Sequence, residues 1–153
     1  MLNVTKEFSW AMNHRLENHK GLCKNLHGHN YRLFITVIRE DGLIGDDNKS
    51  GEGMVIDFKS LKNIVNKVIV DDLDHAFAYN KNSNVDEQIA KALEEKIQQK
   101  IFAFDFRTTA ENMVKWMVES LNNYLTNADT GVRCTKAVLY ETDTCYATYE
   151  EGK

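Results

Sequence analysis

Residues 2–39 read LNVTKEFSWAMNHRLENHKGLCKNLHGHNYRLFITVIR, two alternating runs joined by a polar loop. In the first run Leu2, Val4, Phe8, Trp10 and Met12 share one face, interrupted at Lys6, which is the two-residue period of a half-buried strand. Continuing that period puts His14 on the same face. In the second run, from about His29 to Arg39, Tyr31, Leu33, Ile35 and Val37 line one face among β-branched and aromatic neighbours. The loop between them, 13–28, has no sustained period and is rich in possible ligands.

Beyond this pair, residues 41–53 (DGLIGDDNKSGEG) mark a turn or small excursion. Phe58, Leu61, Ile64, Val65, Val68 and Ile69 then fall on one helical stripe, with Asp57 as N-cap and an end near Asp71 and Asp72. A second helix is predicted over about 86–101, where Ile89, Leu93, Ile97 and Ile101 form a narrow stripe suited to a peripheral position. A third starts at Thr108-Thr109-Ala110-Glu111, a T-x-x-E capping-box pattern, and turns Met113, Met117, Leu121, Tyr124 and Leu125 inward. VRCTKAVLYE, a polar TDT and CYATYEE close the chain as a hairpin. Strand, strand, helices, strand, strand predicts one α+β domain over 1–153, an antiparallel four-stranded sheet with helices on one face.

The chain's 153 residues suit a single core. A net charge of −4 argues against a general binder of nucleic acid or anionic membrane, because phosphate neutralisation needs a basic excess. The average hides a local exception. Between Ala11 and Arg32 stand Arg15, Lys20, Lys24 and Arg32 against Glu17 alone, a local +3 suited to an anionic ligand. Three cysteines with no CxxC pair exclude a disulfide framework and point to a reducing cytoplasm. Neither a signal peptide nor a membrane span is readable.

The strongest local signal is His27-Gly28-His29. On a strand the two imidazoles project from one face and can converge on one ion, while Gly28 lets the backbone pass close by. His14 would lie alongside if the two runs pair; His19, in the loop, is the alternative third ligand. Three neutral imidazoles with one open position make a catalytic rather than a structural zinc site. The competing reading is a set of ordinary histidines, since a bare HxH is a weak motif. Cys23 is either a reactive thiol, a ligand or a small buried residue. Asp74 and His75 either end a helix or address a third group, adjacent side chains usually pointing apart. Glu141 is either an edge charge or a buried anchor for a planar ligand, and Glu111 completes the capping box.

Together, FSWAMNH, CKNLHGHNY, GMVIDF, LDH, TTAEN and the late Glu141-Thr142 occur in one order along the chain. In this the sequence resembles the 6-pyruvoyltetrahydropterin synthase and 6-carboxytetrahydropterin synthase family over nearly its whole length. The resemblance implies that His14, His27 and His29 bind Zn²⁺ and that Cys23 transfers protons with Asp74 and His75 as its acid/base partner. It implies that Glu141 anchors the pterin ring, with Thr109 and Glu111 in the substrate site. The Cys-x3-His-x-His spacing is similar to that of bacterial 6-carboxytetrahydropterin synthases of queuosine biosynthesis. The implied reaction takes 7,8-dihydroneopterin triphosphate to 6-carboxy-5,6,7,8-tetrahydropterin, acetaldehyde and triphosphate. The alternatives are a pyruvoyl-type triphosphate elimination or a non-enzymatic metal-binding assembly protein.

The family's tunnelling fold implies a homo-oligomer, a trimer or dimer of trimers (a homohexamer), with strands closing into a barrel on trimerisation. Sites between subunits follow, so that Glu141 would serve a neighbour's zinc. Two departures stand out: Thr108-Thr109 where the family often has Pro-Thr, and residues 84–106, longer than the usual spacing.

Overall fold

Strands β1 (Asn3–His14) and β2 (His27–Arg39) pair antiparallel from Asn3↔Ile38 to His14↔His27 in a computed structural model that describes residues 1–45 and 50–152. The expected turn at 41–53 lies partly outside the described residues. The closing hairpin forms as expected, β5 (Val132–Tyr140) pairing with β2 and β6 (Tyr146–Glu150) with β5. A register shift at Thr36/Val37, where Lys136 and Cys134 are the successive partners, leaves Thr135 as an extra residue and bulges β5.

The sheet has six strands rather than four, in the order β4-β3-β1-β2-β5-β6. The added pair, β3 (Phe77–Asn80) and β4 (Ile101–Phe104), runs parallel to β1 at one edge. FAYN shows no apolar/polar alternation because both its faces are covered. Ala78 joins the main core, whereas Phe77 and Tyr79 pack with Ala90, Ile89 and Leu93 of the predicted second helix. Phe77 is the register partner of Asn13, whose neighbours Met12 and His14 face the main core. That helix, α3 (Asn84–Ile97), therefore lies across the opposite side of the sheet edge from the others, and Ile101 belongs to β4.

The main core sits between the β1-β2-β5 face and the remaining helices. Asp57 caps α1 (Phe58–Val65) by accepting from the Ser60 N–H at 2.9 Å. The helix continues through a π turn (Asn66–Val70) into a last turn, α2 (Asp71–Leu73), and so ends at the acidic pair Asp71 and Asp72 as expected. Helix α4 (Ala110–Asn127) turns Met113, Met117, Leu121 and Leu125 inward, each buried. Leu121→Ala should cost about 2–5 kcal/mol through the cavity it leaves, lowering the melting temperature by roughly 5–15 °C. A thermal melt within about 2 °C of the parent would contradict this packing. Among the described residues no helix is long and apolar enough to cross a membrane.

Candidate metal centre and active site

At the paired ends of β1 and β2 the pleat sends His14, His27 and His29 to one side. One ligand nitrogen from each lies within 4.8 Å of the others, so this trio could hold a metal ion. Their protonation follows from their second partners. His14 Nδ1 is 3.0 Å from the Thr108 carbonyl and His27 Nδ1 2.7 Å from the Asn25 carbonyl. A carbonyl only accepts, so both Nδ1 atoms carry a hydrogen, and Nε2 is the atom each ring can offer to an ion. Among the described residues His27 Nε2 is buried without any hydrogen-bond partner. Near His14 Nε2 lie the Tyr31 hydroxyl, at 3.4 Å, and Glu141 Oε1, at 3.8 Å.

Burial first, then the charges of His27 and His29, lowers the His14 pKa to about 4. Burial first and then His27 lower that of His29. At neutral pH both rings are thus neutral ligands, and the His14–Glu141 approach is not an ion pair. Between about 4 and 6.5 the unfolded chain binds a proton at His14 that the folded chain refuses. The metal-free protein should therefore lose stability as pH falls through that window, by roughly 3 kcal/mol from His14 alone. Urea melts from pH 7.5 to 4 check this, with His14→Gln isolating the contribution. A flat profile common to both would refute it.

His19 is not the third ligand. Its Nδ1 accepts from the Gly21 N–H at 2.9 Å, a local turn contact that takes it out of the trio. Gly28 faces Asn13 across the ladder, and a Cβ there would lie 2.5 Å from Asn13 Oδ1 and 3.2 Å from the Met12 carbonyl. The predicted close passage of backbone is thus real, and it is set by the neighbouring strand.

Glu141 follows directly on β5 and lies beside its own chain's His14, with Oε1 3.8 Å from Nε2. Burial first, then Glu111, raises the Glu141 pKa, opposed by His27 and by the Tyr31 hydrogen bond. Burial and then Glu141 hold the Tyr31 hydroxyl above an ordinary phenol. Tyr31 looks like a core residue in sequence and is fully buried, with Trp10 stacked on it at 5.7 Å. Only its neighbours reveal a polar task.

The start of α4 differs by one residue from the capping-box pattern. Thr109, not Thr108, is the N-cap, accepting from the Asn112 N–H at 3.3 Å. Glu111 is therefore not at the capping-box position and stands exposed, close enough for its charge to act on Glu141. Thr108 is fully buried and instead orients His14, a ligand-holding role its position beside a second threonine conceals.

Cys23 sits half-buried in a short 3₁₀ turn, Leu22–Lys24. Asp74 and His75, expected to point apart, bond directly: His75 Nδ1 lies 2.8 Å from Asp74 Oδ1. The positive φ of His75, 62°, makes this possible, while the Ala11 N–H donates to Asp74 Oδ1 at 3.3 Å. The pair is anchored at Ala11, three residues before His14, and the His75 side chain is 80 % exposed. Among the described residues no hydrogen bond joins it to Cys23.

The family described as 6-pyruvoyl tetrahydropterin synthase matches residues 3–152. A 6-carboxy-5,6,7,8-tetrahydropterin synthase of Haemophilus influenzae is 40% identical over 153 residues, covering 99% of this chain and 100% of the relative. Its counterpart from Aquifex aeolicus is 35% identical over 131 residues, covering 84% and 76%. In three dimensions the chain is similar to an uncharacterized protein of Wolinella succinogenes, with a TM-score of 0.75, 19% identity and coverage of 99% and 98%. It also resembles the 6-pyruvoyl tetrahydropterin synthase of Caenorhabditis elegans, with a TM-score of 0.61, 24% identity and coverage of 99% and 96%. These two structures share its fold. With one family spanning nearly the whole chain, and a full-length relative agreeing with it, the chain belongs to the 6-pyruvoyl tetrahydropterin synthase family.

Proposed function

We propose that the chain is a zinc-dependent lyase that converts 7,8-dihydroneopterin triphosphate to 6-carboxy-5,6,7,8-tetrahydropterin, releasing acetaldehyde and triphosphate, in queuosine biosynthesis. The observation that carries this reading is the buried Nε2 of His27, without a hydrogen-bond partner among the described residues and turned with the imidazoles of His14 and His29 toward one point. A tris-imidazole set suits Zn²⁺ with an open position. The naming of both relatives as 6-carboxy-5,6,7,8-tetrahydropterin synthases supports the choice of product.

When bound, zinc would supply a Lewis acid that polarises the substrate's side-chain hydroxyls and acidifies the adjacent C–H bonds. Glu141 accepts hydrogen bonds from the pterin's amino and ring N–H groups, held by Tyr31, with Thr109 and Glu111 at the margin of the site. Cys23 moves a proton at the side chain through Sγ. His75, its Nδ1 tied to Asp74, leaves Nε2 for the partnering transfer. An exposed His75 unconnected to Cys23 within the chain suits a site completed by a second subunit in a trimer or dimer of trimers. Three cysteines without disulfides suit the cytoplasm, where such a thiol stays reduced.

The test is direct. Metal-loaded protein given 7,8-dihydroneopterin triphosphate should release acetaldehyde and triphosphate. A pyruvoyl product without acetaldehyde would assign the other branch of the family. Retained metal with no turnover would leave a metal-binding assembly protein.

A further inference from the structure

Three polar side chains are buried among the described residues, His14, Thr108 and Asp86, and all three are linked through Arg15. His14 meets the Thr108 carbonyl through Nδ1, and Thr108 Oγ1 donates to the Arg15 carbonyl at 3.2 Å. Asp86, in the first turn of α3 and 1% exposed, pairs through Oδ1 with Arg15 Nη1. The other side of the same guanidinium is also used: Arg15 Nε donates to the Lys24 carbonyl at 2.9 Å. Lys24 closes the turn that carries Cys23, and the Leu16 N–H donates to the Cys23 carbonyl at 2.8 Å.

Asp86 is poorly explained as a stabilising residue. A buried carboxylate is unfavourable unless its oxygens are satisfied, and Asp86 Oδ2 has no partner among the described residues. What the pair gives is direction. A planar guanidinium held at one corner presents its Nε–H along a fixed line, which an ammonium cannot do. We propose that Arg15, oriented by Asp86, is a positioning residue that fixes the Cys23 turn against the His14 end of β1. The stretch 84–106, longer than the family's usual spacing, thereby reaches the site without lining it. This rests on the reading of Cys23 as the proton-transfer residue.

Arg15→Lys separates positioning from simple charge pairing, because lysine can still neutralise Asp86 but cannot also hold the Lys24 carbonyl. The measurements, on the metal-loaded protein, are kcat and KM for 7,8-dihydroneopterin triphosphate, metal content, and the iodoacetamide alkylation rate at Cys23 by peptide mass. The last distinguishes Cys23 from the exposed Cys145 and the buried Cys134. The expected result is full metal content, kcat lowered about 10–100-fold with little change in KM, and Cys23 alkylated several-fold faster. Parental kcat together with parental alkylation overturns the proposal, as does lost activity with Cys23 alkylation unchanged. If the parent protein does not turn over this substrate, the functional reading fails while the alkylation arm still decides the positioning role. If Arg15→Lys does not fold, Asp86→Asn takes its place, and parental alkylation there overturns the proposal.

Discussion

Replacing His27 with alanine should empty the metal site and abolish acetaldehyde release while the chain stays folded. Two facts make this the sharpest of the three ligand substitutions. His27 is only half-buried, so its removal opens no large cavity. Among the described residues its side chain makes a single hydrogen bond, Nδ1 to the Asn25 carbonyl, worth about 1 kcal/mol. His14, by contrast, is buried and ties β1 to Thr108, so His14→Ala would mix lost metal with lost structure. Removing an outer partner of a metal ligand already costs about 10–100-fold in affinity, and removing a ligand should exceed that. Metal analysis after dialysis, alongside circular dichroism, reads the result. One retained equivalent of metal in a folded His27→Ala protein would end the tris-histidine reading.

The second large effect separates metal binding from proton transfer. Cys23→Ala should keep the full metal content and bind the pterin, yet lose about 10²–10⁴-fold in turnover, the scale of a missing general acid or base. The thiol is half-buried, so the substitution should not disturb the core. A serine at the same position provides a near-isosteric control with a far weaker acid. Turnover within about twofold of the parent in Cys23→Ala would remove this residue from the chemistry.

The trio of histidines was legible because strands obey a period of two. Once His14 continues the β1 face and His27 and His29 flank a glycine on β2, antiparallel pairing places all three together. The two terminal hairpins were legible for the same reason, and six ordered motifs identified the family that the full-length match shows. What escaped depended on contacts that leave no periodic trace. Strand β3 is four residues covered on both faces, so nothing alternates. Adjacent threonines 108 and 109 are equally good caps by composition, and only burial decides which of them caps α4 and which holds His14. Asp86 reads as an ordinary acid in a helix's first turn. The Asp74–His75 bond depends on a left-handed backbone at His75, which its residue type does not announce.

The close passage at Gly28 ties two positions into one unit of evolutionary change. An alanine at 28 is blocked first by Asn13 Oδ1, a movable atom, and then more gently by the fixed carbonyl of Met12. Drift at residue 28 must therefore wait for a shorter or differently turned side chain at residue 13. Homologues that depart from glycine between the two histidines should have turned or shortened the side chain one residue before the first of the three. Ligand spacing in this site is guarded from across the sheet, by a residue that touches no metal.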